Sequence, residues 1–524
     1  MKVRSNIQNE TFIFYFIFVT LIILNIFMIL GMRLLPFIDL SQHLAYATIY
    51  KHLGEADNAF NQYFEFANMT LKHNSLHPLF CSLDLWGTVE TGNKIYFIIY
   101  TILLPLSILL FIKKLNGRIW LSLLSFLFVF NYNVSWGFVG FLMTIPLCFL
   151  ALILQYEYFM SRSLKSMILL PLILVLLYLT HILSAVVLLG LLLLQHCLYY
   201  RKSLKNLVIR SVPYIPGILL YIFWYVNRGM LSKKGSVGGL LEYYLGPFWD
   251  SIPFRLSGLF YFNHYFLHEG QTGRMIGYAF SAFFILCLIG QVTFRTSKNP
   301  AAKDKTRHVF TWTLVCYYFL VYLFFFSLDG VMFFSFYRFS VFVFLGLIAA
   351  GSLTSTDRFH ILRNALISIA CIVYFLLWTD YFTAFQKENR VFNKAFFKGL
   401  ERQRVLSGLI YYLGYRGQPI YIHFPDYYIT WHRGIESLNL ADGYPNYQLK
   451  RKVGPEKLPR VMEWVGIRKN YNGEYNHVDY LLIRGRVPQN KVEMIEEHFE
   501  LIRWNDPWFL LKNRKLISNS ESET

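Results

Sequence analysis

Charge is scarce in this sequence. Asp, Glu, Lys and Arg make up 15% of its 524 residues, where soluble domains carry roughly 25%. A chain that is mainly a soluble globule is thereby excluded. Acidic residues are the scarcer sign, 31 against 50 Lys and Arg, for a formal charge of +19. Cysteine is also sparse. Cys148, Cys197, Cys287, Cys316 and Cys371 lie in apolar runs, and Cys81 lies in a long loop. Neither a disulfide framework nor a cysteine metal site is implied. No Walker loop, GxGxxG or HExxH occurs. The first absence argues against an ATP-driven pump. It leaves open an enzyme that works outside the cell on a lipid-linked substrate. No internal repeat is found.

What is present is apolar. Hydrophobic residues make up 55% and aromatic residues 19%. Runs near 20 residues recur, the length that crosses a ~30 Å hydrocarbon core. About eleven spans are expected, near 11–32, 94–112, 118–132, 135–155, 166–180, 182–200, 208–227, 275–294, 309–328, 339–354 and 361–379. The first is too long for a signal-peptide core and lacks a small-residue cleavage site, so it reads as an uncleaved anchor. Alternate loops carry "KKLNGR" (113–118), "SRSLKS" (161–166), "RKSLKNLVIR" (201–210) and "RTSKNPAAKDKTRH" (295–308). Arg358, Arg363, Lys2 and Arg4 fall on the same side. By the positive-inside rule that side is cytoplasmic. The surplus of positive charge thus reads as a topology signal rather than a nucleic-acid surface.

The predicted fold class is an α-helical polytopic membrane protein with a small C-terminal α/β extracytoplasmic domain. Residues 1–379 form the membrane part, with outer loops 33–93 and 228–274. Residues 380–516 form the outer domain, and 517–524 ("SNSESET") read as a disordered tail. Within the outer domain, "PIYIHF" (419–424) and "HVDYLLIRG" (477–485) read as strands. "NKVEMIEEHF" (490–499) reads as a helix, and "FELIRWNDPWFLLKN" (499–513) as two strands around a turn.

The candidate chemistry gathers on the outer side. In "GMRLLPFIDLSQHLAYATIY" (31–50), Asp39, His43, Tyr46 and Tyr50 share one helical face. This helix is expected to lie along the membrane surface. Asp39 followed by Gln42 is a capping-box arrangement, which is compatible with a rigidly held catalytic base. His181, in "YLTHILS", sits at the tip of a hairpin between two spans, where a polar turn residue is the plainer reading. Trp136, in "NYNVSWGFVG", reads as an interfacial tryptophan. Arg338, in "SFYRFSVF", stands at the outer end of a span, where a charge is costly and often functional. A salt bridge to Asp329 or a snorkelling anchor is its structural alternative. "LHEGQTGR" (267–274) offers His268, Glu269 and Arg274. His264 and His268 are four apart but lack a third metal ligand, and "KHNSLHP" (72–78) is equally weak as a metal motif.

The layout resembles the GT-C superfamily of polytopic glycosyltransferases, in particular its bacterial members. The features that carry this are Asp39 at a loop start in "LPFIDLSQHL", "SWGFVGFLMTIPL", "YRF", and a tail with "VDYLLIRG" followed by "FELIRWNDPWFLLKN". The layout covers most of the chain. The chain departs from members with two adjacent acidic residues in this motif. It also lacks the WWD-type signature of oligosaccharyltransferases, so protein N-glycosylation is not implied. The resemblance implies inverting transfer of a sugar from a polyprenyl-phosphate donor to an acceptor hydroxyl at the outer face. Asp39 would be the general base. Arg338, with His181 or His43, would stabilise the leaving phosphate, and Arg274 and Glu269 are further substrate-binding candidates. No cofactor is implied, and a divalent metal finds no support in the sequence. The implied partners are the lipid-linked donor, the bilayer of the cell (inner) membrane and a glycan or lipid acceptor, with no nucleic acid. The competing readings are a lipid-linked substrate transporter or flippase, a surface-polysaccharide polymerase or ligase, and a structural assembly factor.

Overall fold

Among the described residues, seven apolar runs form helices long and apolar enough to cross a membrane: Asn9–Gly31, Val89–Lys114, Ile119–Trp136, Val139–Ser161, Ile182–Tyr200, Leu204–Val226 and His360–Glu388. Their length and composition support a membrane protein. The computed structural model describes residues 2–67, 72–227, 252–268, 270–289, 302–324, 336–353, 359–401, 403–437, 448–452 and 474–516. Glu269, Asp329, residues 228–251 of the expected outer loop and the tail 517–524 lie outside them. The remaining expected spans overlap helices of a different kind. Leu164–Thr180 and Phe336–Ser352 are apolar but shorter. Gly270–Ile289 and Ala302–Phe324 open on polar turns, "GQTGR" and "AKDKTRH".

The chain divides into two compact units. The first comprises Met1–Gly31, Phe97–Ser135 and Gly140–Asp380. Its outward side chains are apolar: Phe12, Phe16 and Phe27 on the first helix, and Leu219, Phe223 and Val226 further along, are exposed. Water would make such stripes costly, whereas lipid tails are as apolar as the side chains themselves. Pro105, Pro146 and Pro171 sit inside helices, as membrane helices tolerate. Residues Ile119–Phe128 wind as a 3-10 helix. Ser122 and Ser125 donate to the carbonyls three residues back, both at 2.6 Å. The tighter winding advances ten residues by about 20 Å instead of about 15 Å. A short apolar run therefore reaches further than α-helix spacing suggests.

The second unit comprises Met32–Tyr96, Trp136–Val139 and Tyr381–Thr524. Its strands are β1 (Phe64–Phe66), β2 (Val405–Ile410), β3 (Ile435–Glu436), β4 (Leu449–Arg451), β5 (Tyr480–Arg484), β6 (Phe499–Asn505) and β7 (Trp508–Asn513). Five of them form a mixed sheet in the order β3-β2-β5-β7-β6, and β1 pairs antiparallel with β4. Strands β2 and β5 are buried along their whole length and pair in parallel. The edge strand β6 is mostly exposed. The helix Gln489–His498 and the β6–β7 hairpin lie where the sequence patterns put them. The segment 419–424 differs, because Ile420–Asp426 is a 3-10 helix. Every residue of it is buried, and Pro425, at its end, has no N–H to give to a ladder.

The Leu40–His52 helix buries nine residues from Leu40 to Ile49 within this unit. Ala45, Tyr46, Ile49 and Leu53 share one core with Val405, Leu409, Ile435, Leu481 and Leu511 of the sheet. Residues of the 33–93 segment and of the C-terminal segment thus complete one hydrophobic core.

Arg484 braces this unit from within β5. Its side chain is 1% exposed, and Nη2 lies 2.8 Å from Glu388 Oε1. Nη1 donates to the Tyr412 carbonyl, and the guanidinium lies 3.4 Å from the Tyr421 ring centroid. Tyr421 in turn donates to Glu388 at 2.6 Å. Removing one partner of such a pair costs roughly 3–5 kcal/mol. The lower end applies here, because Glu388 keeps a third of its side chain in solvent. Arg484→Met is expected to lower the melting temperature accordingly. Adding Glu388→Gln should recover part of the loss, and full additivity of the two changes would contradict the pairing.

Candidate functional site

The stretch "FIDLSQHL" turns before it becomes helical. The Phe37 carbonyl accepts from the Leu40 amide, and Asp39 sits at φ −90°, ψ 0°. That is the bridge region of a turn, not the extended conformation of a capping residue. The Asp39 side chain accordingly makes no cap hydrogen bond, and the expected capping box does not form. The carboxylate points elsewhere: Oδ1 lies 3.6 Å from His423 Nε2.

Both sides of this pair are held by backbone. The Asp39 amide donates to the Trp136 carbonyl at 2.9 Å. Trp136 is therefore tied to Asp39 through its main chain. Gly137 makes this approach possible. It has φ +77°, and a Cβ there would sit 3.0 Å from the Leu40 nitrogen and 3.1 Å from that of Asp39. Only glycine tolerates both conditions. On the other side, Ser41 Oγ donates to the His423 carbonyl at 2.7 Å. His423 is carried by the buried 3-10 turn that ends at Asp426, itself fully buried. Accessibility separates the roles: the Asp39 side chain is 20% exposed and that of His423 1%. The sequence reading did not single out His423, Asp426 or Gly137. The spacing His-x-x-Asp beside Pro425 was the available signal, hidden by reading 419–424 as a strand.

His43 lies one turn after Asp39 and is half-buried. Its ring meets that of His77 edge-on, with centroids 5.8 Å apart. His77 is buried, with Nε2 2.9 Å from Asn93 Oδ1 and 3.3 Å from Cys81 Sγ. Burial pulls the His77 imidazole down to about 4, against the opposing pull of the Asn93 hydrogen bond. This has a consequence for stability. Between about 4 and the unfolded value near 6.5, the unfolded chain binds the proton and the folded chain does not. Stability is therefore full above pH 6.5 and is lost as pH falls toward 4, by roughly 3 kcal/mol at most. His77→Gln is expected to flatten this acid limb in melting curves recorded from pH 7 to 4. An unchanged limb would assign it to other groups.

A cleft in the same unit is lined by Arg33, Leu34, Leu35, Leu40, Leu44, Glu90, Asn93, Lys94 and Tyr427. Arg33 donates to the carbonyls of Phe392 at 2.7 Å and Asn389 at 2.5 Å. Glu90 takes Lys394 at 2.7 Å and the Trp431 indole N–H at 2.8 Å. Burial lowers the Arg33 guanidinium from its ordinary value, while Tyr427 and Glu90 oppose that. Burial likewise raises the Tyr427 phenol, with Glu90 adding to it and Arg33 opposing. The cleft thus joins cationic groups to a leucine-lined wall.

No protein-family model matches this chain, and no curated protein matches it.

The first unit holds the other candidates. Arg338 Nη1 approaches His181 Nε2 at 3.5 Å. Phe141 lies beside both, 5.9 Å from the guanidinium and 5.4 Å from the imidazole ring. The Arg338 carbonyl accepts from Asn133 Nδ2 at 3.2 Å. His181 is the hinge residue between Leu164–Thr180 and Ile182–Tyr200, extended at φ −163°. Arg274 is exposed, and its guanidinium lies 5.5 Å from the Tyr261 ring. Glu269 lies outside the described residues. His264 is buried among Phe128, Phe280 and Tyr374, while His268 is exposed. These two therefore do not share a ligand face. Among the described residues, no group of three or more His, Cys, Asp or Glu could hold a metal ion.

Proposed function

We propose that this chain is an integral membrane glycosyltransferase, with about eleven spans, that moves a sugar from a polyprenyl-phosphate donor to an acceptor hydroxyl. The loop charges support a cytoplasmic N-terminus and an extracytoplasmic C-terminal domain in the cell membrane. The observation that carries the reading is the Asp39 carboxylate, partly open to solvent and held against a buried imidazole. A general base needs such positioning before anything else.

In the proposed reaction Asp39 accepts the proton of the acceptor hydroxyl. The acceptor oxygen forms a bond to the anomeric carbon as the bond from that carbon to the phosphate oxygen breaks. The phosphate leaves with the electron pair, and the configuration inverts. In the first unit, Arg338 with His181 is a candidate phosphate ligand, tested separately by its own variant, Arg338→Gln. Arg274 and Glu269 remain candidate substrate contacts. The scheme routes no step through a cofactor.

The test is incubation of the protein in lipid vesicles with a labelled polyprenyl-phosphate sugar and a glycan or lipid acceptor. Transfer or hydrolysis that requires Asp39 supports the reading. Movement of label across sealed vesicles without chemistry would reassign the protein as a transporter. Extension of a polysaccharide chain would make it a polymerase or ligase.

A further inference from the structure

We infer that His423, far along the chain from Asp39, is a positioning residue that sets the orientation of the Asp39 carboxylate. The inference deepens the proposed function and rests on it for its catalytic meaning. Three observations carry it. The carboxylate is diverted from the helix N-terminus it would otherwise cap and faces His423 Nε2 at 3.6 Å. The imidazole is 1% exposed, so it cannot itself meet a substrate, whereas the carboxylate can. The backbones behind the two side chains are pinned separately, by Trp136 to Asp39 and by Ser41 to His423. Fixing the two backbones limits the positions the side chains can reach, which favours preorganisation of a base. His423 therefore acts through Asp39, by orienting the carboxylate that faces it. The C-terminal segment thereby contributes to the reaction without touching the substrate.

The experiment compares His423→Phe, which removes the nitrogen, with His423→Gln, which retains an N–H donor. In the vesicle assay His423→Phe is expected to lower kcat by roughly 10- to 100-fold, the scale on which outer partners tune a functional group. KM should stay within about two-fold, because the lost contact is not to substrate. His423→Gln should recover most of kcat. In an Asp39→Asn background, His423→Phe should cost nothing further. Equal losses in the two variants, or full additivity with Asp39→Asn, would overturn the inference.

A second readout is independent of turnover. Carbodiimide labelling of Asp39, measured by peptide mass spectrometry at fixed pH, should rise several-fold in His423→Phe and return in His423→Gln. If no donor supports turnover in the unaltered protein, the glycosyltransferase reading fails. The labelling still decides the pairing in that case: unchanged labelling in a folded His423→Phe protein would sink it.

Discussion

A chain ending at Asp380 is expected to lose the structure of residues 33–93 as well as the segment removed. Tyr46, Ile49, Leu53, Phe60 and Phe64 are buried in one core with Val405, Leu409, Ile435, Leu481, Ile483 and Leu511. Burying each such side chain is worth about 1.5–3 kcal/mol. Five of them amount to roughly 10 kcal/mol, comparable to the whole stability of an ordinary domain. Polar contacts go with them. The Leu449 amide donates to the Tyr46 hydroxyl at 2.7 Å, and β1 loses its ladder partner β4. The exposed ion pairs of Arg433 with Glu55 and Asp57, at 2.7 and 2.9 Å, add little. Limited proteolysis in lipid vesicles checks the expectation. Cleavage at Lys51 and Lys72 should accelerate at least 100-fold in the truncated chain. Protection equal to that of the full chain would show that residues 33–93 fold without the C-terminal segment.

Asp39→Asn is expected to cut sugar transfer by roughly 10²- to 10⁴-fold, the contribution of a positioned general base. The substitution keeps the shape of the side chain and removes its basicity. The backbone contact from Asp39 to Trp136 is unaffected, because it uses the main-chain amide. The melting temperature should therefore move little, and KM for the donor should hold. Asp39→Glu should fall between the two, since one added methylene disturbs the approach to His423 but retains a carboxylate. Activity within a few-fold of the unaltered protein in Asp39→Asn would remove Asp39 from the mechanism.

The parts legible in advance share a physical character. Runs such as Asn9–Gly31 and Ile182–Tyr200 declare themselves by length and apolarity, because a helix satisfies its own backbone and needs no partner to be recognised. Strand β5 and the β6–β7 hairpin were readable because branched and aromatic residues flank a local turn signal at "NDP". The Leu40–His52 helix was readable as a helix, and Asp39 as a carboxylate at its start. Each of these is set by residues within a few positions of one another.

The parts that were not legible depend on distant residues. Asp39 and Gln42 have capping-box spacing, yet the turn at Phe37 and the contact to Trp136 give Asp39 a conformation in which its side chain does not cap. "PIYIHF" has strand composition, yet Ile420–Asp426 winds as a 3-10 helix that ends over Pro425, which cannot donate to a ladder. No local pattern states that His423 faces Asp39, because the pair arises from how helix and sheet close over a common core. Sequence alone therefore determined which segments are apolar helices, where β5 and the β6–β7 hairpin fall and which carboxylate to question. The tertiary structure alone decided that the Leu40–His52 helix is buried in its unit and that a buried histidine faces that carboxylate. Local propensity acts over a few residues, whereas burial is settled only when segments far apart in the chain exclude water together.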